Sequence, residues 1–156
     1  MHLRPIRADD IDSLVDLDRL CFARSAVYSV DEFSYFLSLQ NSLGILFEEE
    51  KHVVAFILAV WSGNIAELIT IDVHPSYRRK GFGTSMLHYI EEELRTHKVK
   101  TECLHVSVEN HPALSFYRKE GFKIVDTIRN YYRDRGHAYL MAKILKWSIR
   151  GPKAKV

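Results

Sequence analysis

At 156 residues, with 22 basic against 20 acidic side chains and a net charge of +2, the chain fits one domain burying roughly two-thirds of its unfolded surface, so a ligand-binding core needs no metal or disulfide staple. Cys21 and Cys103 lack CxxC spacing and lie in apolar surroundings, which reads as two buried free thiols of a reducing compartment. The dispersed histidines have no zinc-ligand spacing, so no metal is expected. The start, Met1-His2-Leu3-Arg4-Pro5, has no apolar signal core, and the run Val53 to Trp61 is too short for a membrane-spanning helix; a soluble cytoplasmic protein without a membrane partner is expected.

In chain order, His2 to Arg7 reads as a first strand. Asp9 is placed to cap a helix whose apolar residues Ile11, Leu14, Val15 and Leu17 recur at helical spacing toward Phe22. Ser29-x-x-Glu32 forms a capping box for a second helix that buries Phe33, Phe36 and Leu37, and the intervening loop runs from Ala23 to Tyr28. Strands follow at Gly44 to Glu48, His52 to Trp61 and Ile65 to Val73. A helix opening near Thr84 carries Met86, Leu87, Ile90 and Leu94 on one side, with Glu91, Glu92, Glu93 and Arg95 largely toward water. Glu102 to Val108 is a strand, and Asn110 caps a short helix with Pro112 in its first turn and Gly121 beyond its end. Phe122 to Tyr132 and Ala138 to Leu145 complete an order β-α-α-β-β-β-α-β-α-β-β, a mixed, mainly antiparallel sheet with helices on both faces. From Lys143 onward there are five cations and no acid, against 17 cations and 20 acids before it. Residues 1–146 therefore read as the domain and 147–156 as a basic, solvated tail, with ribosome or nucleic-acid contact as its less favoured reading.

Between the β-branched run Ile69-Thr70-Ile71-Asp72-Val73 and the third helix lies Arg78-Arg79-Lys80-Gly81-Phe82-Gly83. A strand leading into glycines and a helix start presents N–H groups without intrahelical partners, and three cations precede them, so charge and backbone favour a phosphate. A dinucleotide fingerprint would place a third glycine at Met86, and a Walker loop would add Gly-Lys-Ser/Thr; neither is present. Strand termination and helix capping are the structural alternative for the glycines.

Arg-x-x-Gly-x-Gly behind a strand, led in by Val73-His74-Pro75-Ser76-Tyr77, resembles the acyl-CoA pyrophosphate loop of the GNAT acetyltransferase superfamily. Asn110-His111-Pro112-Ala113-Leu114-Ser115-Phe116-Tyr117 through Gly121-Phe122 resembles that family's second block. Asn130-Tyr131-Tyr132 followed by Ala138-Tyr139-Leu140-Met141 is similar to protein N-terminal acetyltransferases of the RimI and NatA/NatE kinds. The resemblance covers about Leu3 to Leu145 and implies the GNAT fold, with acetyl-CoA as co-substrate. Its pyrophosphate would lie over the amides of Arg79, Lys80, Gly81, Phe82, Gly83 and Thr84 beside Arg78, and its pantetheine along Ile71, Asp72 and Val73. Asn110 would contact the pantetheine or hold the loop, with a helix cap as the compatible alternative.

The same resemblance implies Tyr117 as the acid near the sulfur, against a purely packing role beside Phe116. Leu104-His105-Val106 departs from the Leu-Glu-Val common in RimI-like enzymes and matches NatE-type enzymes, as does Tyr77 before Arg78-Arg79. Strand alternation sets His105 with Cys103 and Ser107, opposite Leu104 and Val106, where a histidine can take a proton near neutral pH. His105 is therefore the expected base with Tyr77 ordering a water, and Glu67 the reserve. Phe22, Tyr28, Tyr131 and Tyr132 would channel an extended N-terminus; in a strand the two adjacent tyrosines would face opposite ways. Ala23 replaces the proline common after the phenylalanine, and the following loop is longer, so the preferred acceptor residue stays open. The implied function is transfer of acetyl from acetyl-CoA to protein α-amines, with protein N-termini, the ribosome or an auxiliary subunit as partners. Its alternatives are lysine or small-amine acetylation on the same fold and a non-catalytic acyl-CoA-binding module.

Overall fold

The computed structural model describes residues 1–146, so the basic tail at 147–156 lies outside the described residues. Seven strands form one sheet in the order β1-β2-β3-β4-β5-β7-β6. They are β1 (His2–Pro5), β2 (Ser42–Glu49), β3 (His52–Ser62), β4 (Ile65–Val73), β5 (Thr101–Ser107), β6 (Lys123–Ile128) and β7 (Ala138–Ile144). The helices are α1 (Ile11–Cys21), α2 (Val30–Ser38), α3 (Phe82–Thr96) and α4 (His111–Lys119). The expected element order holds. Among the described residues no helix is long and apolar enough to cross a membrane.

β3 explains the two-layered core. Val54 to Ala59 are all buried, the continuous apolar run of a strand covered on both faces. Phe56 and Leu58 pack with Leu14, Leu17 and Phe33 under α1 and α2. Ala55, Ile57 and Ala59 pack with Met86, Leu87, Ile90 and Leu94 of α3. Each such large side chain contributes about 1.5–3 kcal/mol by leaving water, so α3 is held chiefly by its apolar stripe.

Several local expectations are corrected. The first strand stops at Pro5, and a short 3-10 turn over Ala8–Asp10 precedes α1. Asp10, not Asp9, ties that turn: it accepts from the Arg7 amide at 2.7 Å and from both terminal Arg4 nitrogens at 2.8 Å. Arg4 also reaches Glu48 at 2.7 Å, fastening β1 to β2, and it holds the Asp10 carboxyl below the usual range. The third helix starts at Phe82 rather than Thr84, because Phe82 packs edge-on against Phe47 at 4.9 Å. Glu91 does not face water: it is 3% exposed and takes Lys143 Nζ at 2.8 and 3.1 Å. Both cysteines are free but half-buried rather than buried.

The sheet opens between β4 and β5. β4 pairs with β5 in parallel only from Ile65 opposite Thr101 to Glu67 opposite Cys103. On its other side β4 stays paired with β3 up to Val73, but Leu58 stands opposite Thr70 and Ala59 opposite Leu68, so Ile69 is an extra, bulged residue. A bulge increases local twist, and the two parallel strands part just before it, with no pairing past Glu67.

Candidate active site

The parted strands floor a cleft of about 350 Å³. Its walls come from the end of α1 and the loop after it, from β4 and β5, from the start of α4 and from the loop between β6 and β7. His105, Glu67, Phe22, Tyr28, Asn110, Tyr117, Tyr131 and Tyr132 all line it. The expectation that Tyr131 and Tyr132 belong to a strand is corrected. β6 ends at Ile128, and Asn130 and Arg135 adopt positive φ values of 54° and 67°, turning the chain back toward the cleft. Their rings meet edge to face at 4.9 Å on the same cavity.

His105 projects from β5 on the face expected for it, since Leu104 and Val106 are buried on the other. Its ring stacks on Tyr131, with centroids 4.6 Å apart and planes 10° from parallel. His105 Nδ1 lies 3.4 Å from Glu67 Oε2 of β4, within ion-pair reach but without hydrogen-bond alignment, and is otherwise buried without a partner. Tyr117 of α4 is wedged edge-on between Phe116 and Phe122 at 5.4 and 5.6 Å. Burial, with Asp72 nearby, pushes its hydroxyl far above the ordinary range, so it stays protonated throughout physiological pH. Burial likewise raises Tyr132, to about 12. Asn110 does cap α4, accepting the Ala113 amide at 3.2 Å, while also lining the cleft.

The loop before α3 has the geometry of an anion cradle. Gly81 has φ +88°, and a Cβ there would meet nothing within 4 Å, so the left-handed conformation and not crowding demands glycine. The first intrahelical bond of α3 runs from Ser85 N to Gly81 O at 3.0 Å, which leaves the Phe82, Gly83 and Thr84 amides ahead of the ladder. Gly83 has a different reason: a Cβ would lie 3.3 Å from the Phe116 ring, so its absence lets α4 pack on α3. Arg78 turns back to donate from Nε to Val73 O at 3.0 Å, leaving exposed Arg79 and Lys80 as the forward cations.

Tyr77 does not join His105. Its hydroxyl donates to Glu49 at the β2–β3 turn, Lys80 Nζ sits 5.5 Å over its ring, and it does not line the cleft. The structure thus gathers His105, Tyr117, Asn110 and the four aromatics expected on the acceptor side in one cavity, but not Tyr77, the residue expected to order a water.

Residues 11–122 match the profile of the acetyltransferase (GNAT) family. The chain belongs to that family. This GNAT acetyltransferase is 31% identical over 159 residues to the N-alpha-acetyltransferase of Saccharolobus solfataricus, covering 92% of each chain. It is also 31% identical to N-alpha-acetyltransferase daf-31 of Caenorhabditis elegans, over 95% of this chain and 85% of the relative. Its fold superposes on the crystal structure of the ribosomal-protein-S18-alanine N-acetyltransferase of Escherichia coli with a TM-score of 0.82 at 25% identity, covering 99% of both chains.

Three features around the cleft escape sequence inspection. Behind the cleft, Asp72 of β4 is wholly buried with Asp18 of α1, and one oxygen of each carboxyl, Asp18 Oδ1 and Asp72 Oδ2, has no described donor. Asp18 Oδ2 accepts the Tyr28 amide at 2.8 Å, and Asp72 accepts from the Thr70 hydroxyl. Burial raises both carboxyls, and at Asp72 the neighbouring Asp18 raises it further, so the pair is satisfied by holding a proton. The Asp72 side chain therefore meets α1, and Asp72 is not among the residues that line the cleft. Cys21 lines the cleft but donates to Val73 O at 3.4 Å, and burial raises its thiol to about 11, so it is a poor nucleophile. Across the mouth, Arg133 of the β6–β7 loop donates to Val27 O and approaches Glu32, both at 3.3 Å, binding that loop to the one after α1. These contacts join residues about 50 to 100 positions apart, so no local pattern announces them.

Proposed function

We propose that this acetyltransferase moves the acetyl group of acetyl-CoA onto the α-amine of protein N-termini by direct attack in a ternary complex. The observation that carries the reading is His105: it is stacked on Tyr131 and close to Glu67 in the cleft between β4 and β5. The full-length likeness to N-alpha-acetyltransferases supports the choice of acceptor. For the donor, the open left-handed Gly81, the free first-turn amides of α3 and the cations Arg79 and Lys80 suit a pyrophosphate. Acetyl-CoA supplies an activated thioester there.

The remaining chemistry falls to this chain. An α-amine has a pKa of about 7.7–8.0, so near neutrality it must lose a proton to become nucleophilic. A carboxylate 3.4 Å from Nδ1 favours a proton on that nitrogen through its charge, which leaves Nε2 to accept the amine proton, directly or through water. As the C–N bond forms and the C–S bond breaks, charge collects on the carbonyl oxygen and then on the sulfur. Tyr117, held protonated, donates a hydrogen bond to the departing thiolate; its high pKa makes complete proton transfer unfavourable, and a thiolate with pKa near 8.5 needs none. The rings of Phe22, Tyr28, Tyr131 and Tyr132 exclude water around the amine, and the tyrosine hydroxyls bond the acceptor's main chain.

The test supplies acetyl-CoA with a peptide bearing a free N-terminus and, separately, an N-terminally blocked lysine peptide. Acetylation of the first alone supports the reading. Preferential acetylation of the blocked peptide replaces it with lysine acetylation on the same fold, and acetyl-CoA binding without turnover replaces it with a non-catalytic module.

A further inference from the structure

Outside the amine-binding cleft lies a second cavity, and its walls have the opposite character. It is lined by Arg19, Arg24 and Arg133 together with Phe22, Val27, Tyr28 and Ser29. Phe22 and Tyr28 wall both spaces, so the cleft and the second cavity adjoin at these two rings. The cleft itself carries the acids Glu67 and Glu109 near His105. A chain entering from the His105 end thus meets carboxylates first and guanidinium groups next. The arginines are scarcely neutralised: only Arg133 meets an acid, Glu32 at 3.3 Å, and that pair is largely solvent-facing, with side chains 63% and 40% exposed. Among the described residues Arg19 and Arg24 make no ion pair, and both are exposed.

We propose that this arginine-walled cavity is a subsite for a carboxylate side chain at the second or third residue of the acceptor, so that the enzyme favours N-termini with Asp or Glu just after the reacting residue. The inference rests on the α-amine reading and extends it to a substrate class. An extended peptide advances about 3.3 Å per residue, so the side chains of the second and third residues lie roughly 3–7 Å along the chain from the reacting end, the scale of the step from the cleft to the adjoining cavity. Guanidinium forks match carboxylates in planar, two-point geometry. The cavity adjoins the acceptor cleft, which makes the acceptor itself, rather than a separate anion, the ligand that enters it. Fixed positive charge at the mouth also draws acidic chains from solution, an effect that salt weakens.

The experiment compares two peptides, Ala-Asp-Glu and Ala-Asn-Gln at their starts and otherwise identical, by kcat/KM at low and high salt. With exposed charge pairs each supplying a few-fold, the acidic peptide is expected to lead by roughly five- to tenfold at low salt, with the ratio shrinking at high salt. Arg19→Gln with Arg24→Gln, positions that make no ion pair in the fold, should bring the ratio below about two. Arg133→Gln should lower it as well. A ratio near one in the wild type, or an unchanged ratio in the double variant, overturns the subsite and leaves the α-amine reading standing. Acetylation of neither peptide by protein of normal melting temperature overturns both.

Discussion

Glu102 is the most exposed weakness of this fold, although no solvent touches it. It lies at the closed end of the wedge, opposite Ala66 on β4 and Lys143 on β7, and is fully buried. Lys143 is committed to Glu91, and neither Glu102 oxygen has a described donor. Two carboxyls share one ammonium, so one of them must be neutral. Burial, then the neighbouring Glu91, raises Glu102 to about 9. The unfolded chain releases the same proton near pH 4.3. Between those values the unfolded state binds fewer protons than the native one, so this contribution to stability is fully present below about pH 4.3 and is lost as pH rises toward 9. At about 1.4 kcal/mol per pH unit, holding that proton costs the folded state about 3–4 kcal/mol at pH 7. Glu102→Gln keeps the shape and a donor toward Glu91 but has no proton to lose. We expect it to stabilise the protein by about 2–4 kcal/mol at pH 7, with the advantage falling to about 1 kcal/mol at pH 5 and to near zero below about pH 4. Urea unfolding of both proteins at several pH values measures the difference directly and cancels the other titrating groups. A difference independent of pH, or a Gln variant less stable at pH 7, would show Glu102 ionised and paired with Lys143, and would refute the reasoning.

Further outcomes follow from the site. His105→Phe should lower kcat by roughly 10²–10⁴-fold while leaving acetyl-CoA affinity within about twofold, read by steady-state kinetics and calorimetry; unchanged turnover from pH 6 to 9 would remove His105 from the mechanism. Tyr117→Phe should reduce kcat roughly tenfold to a hundredfold with little change in KM for the acceptor, the loss of one hydrogen bond to a developing charge. Gly81→Ala forces a side chain into φ +88° at a cost of about 1–2 kcal/mol, and should weaken acetyl-CoA binding more than it lowers the melting temperature. Gly83→Val drives Cβ into Phe116, at 3.3 Å, and should lower the melting temperature instead, at about 1–3 kcal/mol of overpacking.

How much of this was legible in the sequence depended on the range of the contacts. The apolar stripe of α3, the Ser29–Glu32 capping box and the Asn110 cap each sit within a turn or two of chain, and all stand as read. Glu91 follows the same helical spacing as Leu87 and Leu94; its charge argued for water, and only Lys143, 52 residues away, makes its burial tolerable. Tyr131 and Tyr132 look like strand residues because aromatics favour strands, but the left-handed turn at Asn130 takes them out of the sheet. His105 was found by alternation and resemblance, whereas the stacking of Tyr131 upon it required the loop to close. Arg19, Arg24 and Arg133 converge from loops and a helix end over 100 residues apart, and no period marks them. The Asp18–Asp72 pair is hidden for the same reason: each looks like an ordinary acid until the helix and the strand meet.

If the cleft around His105 acetylates α-amines, one peptide carrying both a free N-terminus and an internal lysine shows it within a single molecule. After incubation with acetyl-CoA, fragmentation mass spectrometry locates the acetyl group for the wild type and for His105→Phe. The account predicts acetyl on the N-terminal nitrogen, with the lysine unmodified and the N-terminal product nearly abolished in the variant. Acetyl on the lysine, or an N-terminal product formed equally by the variant, would contradict it.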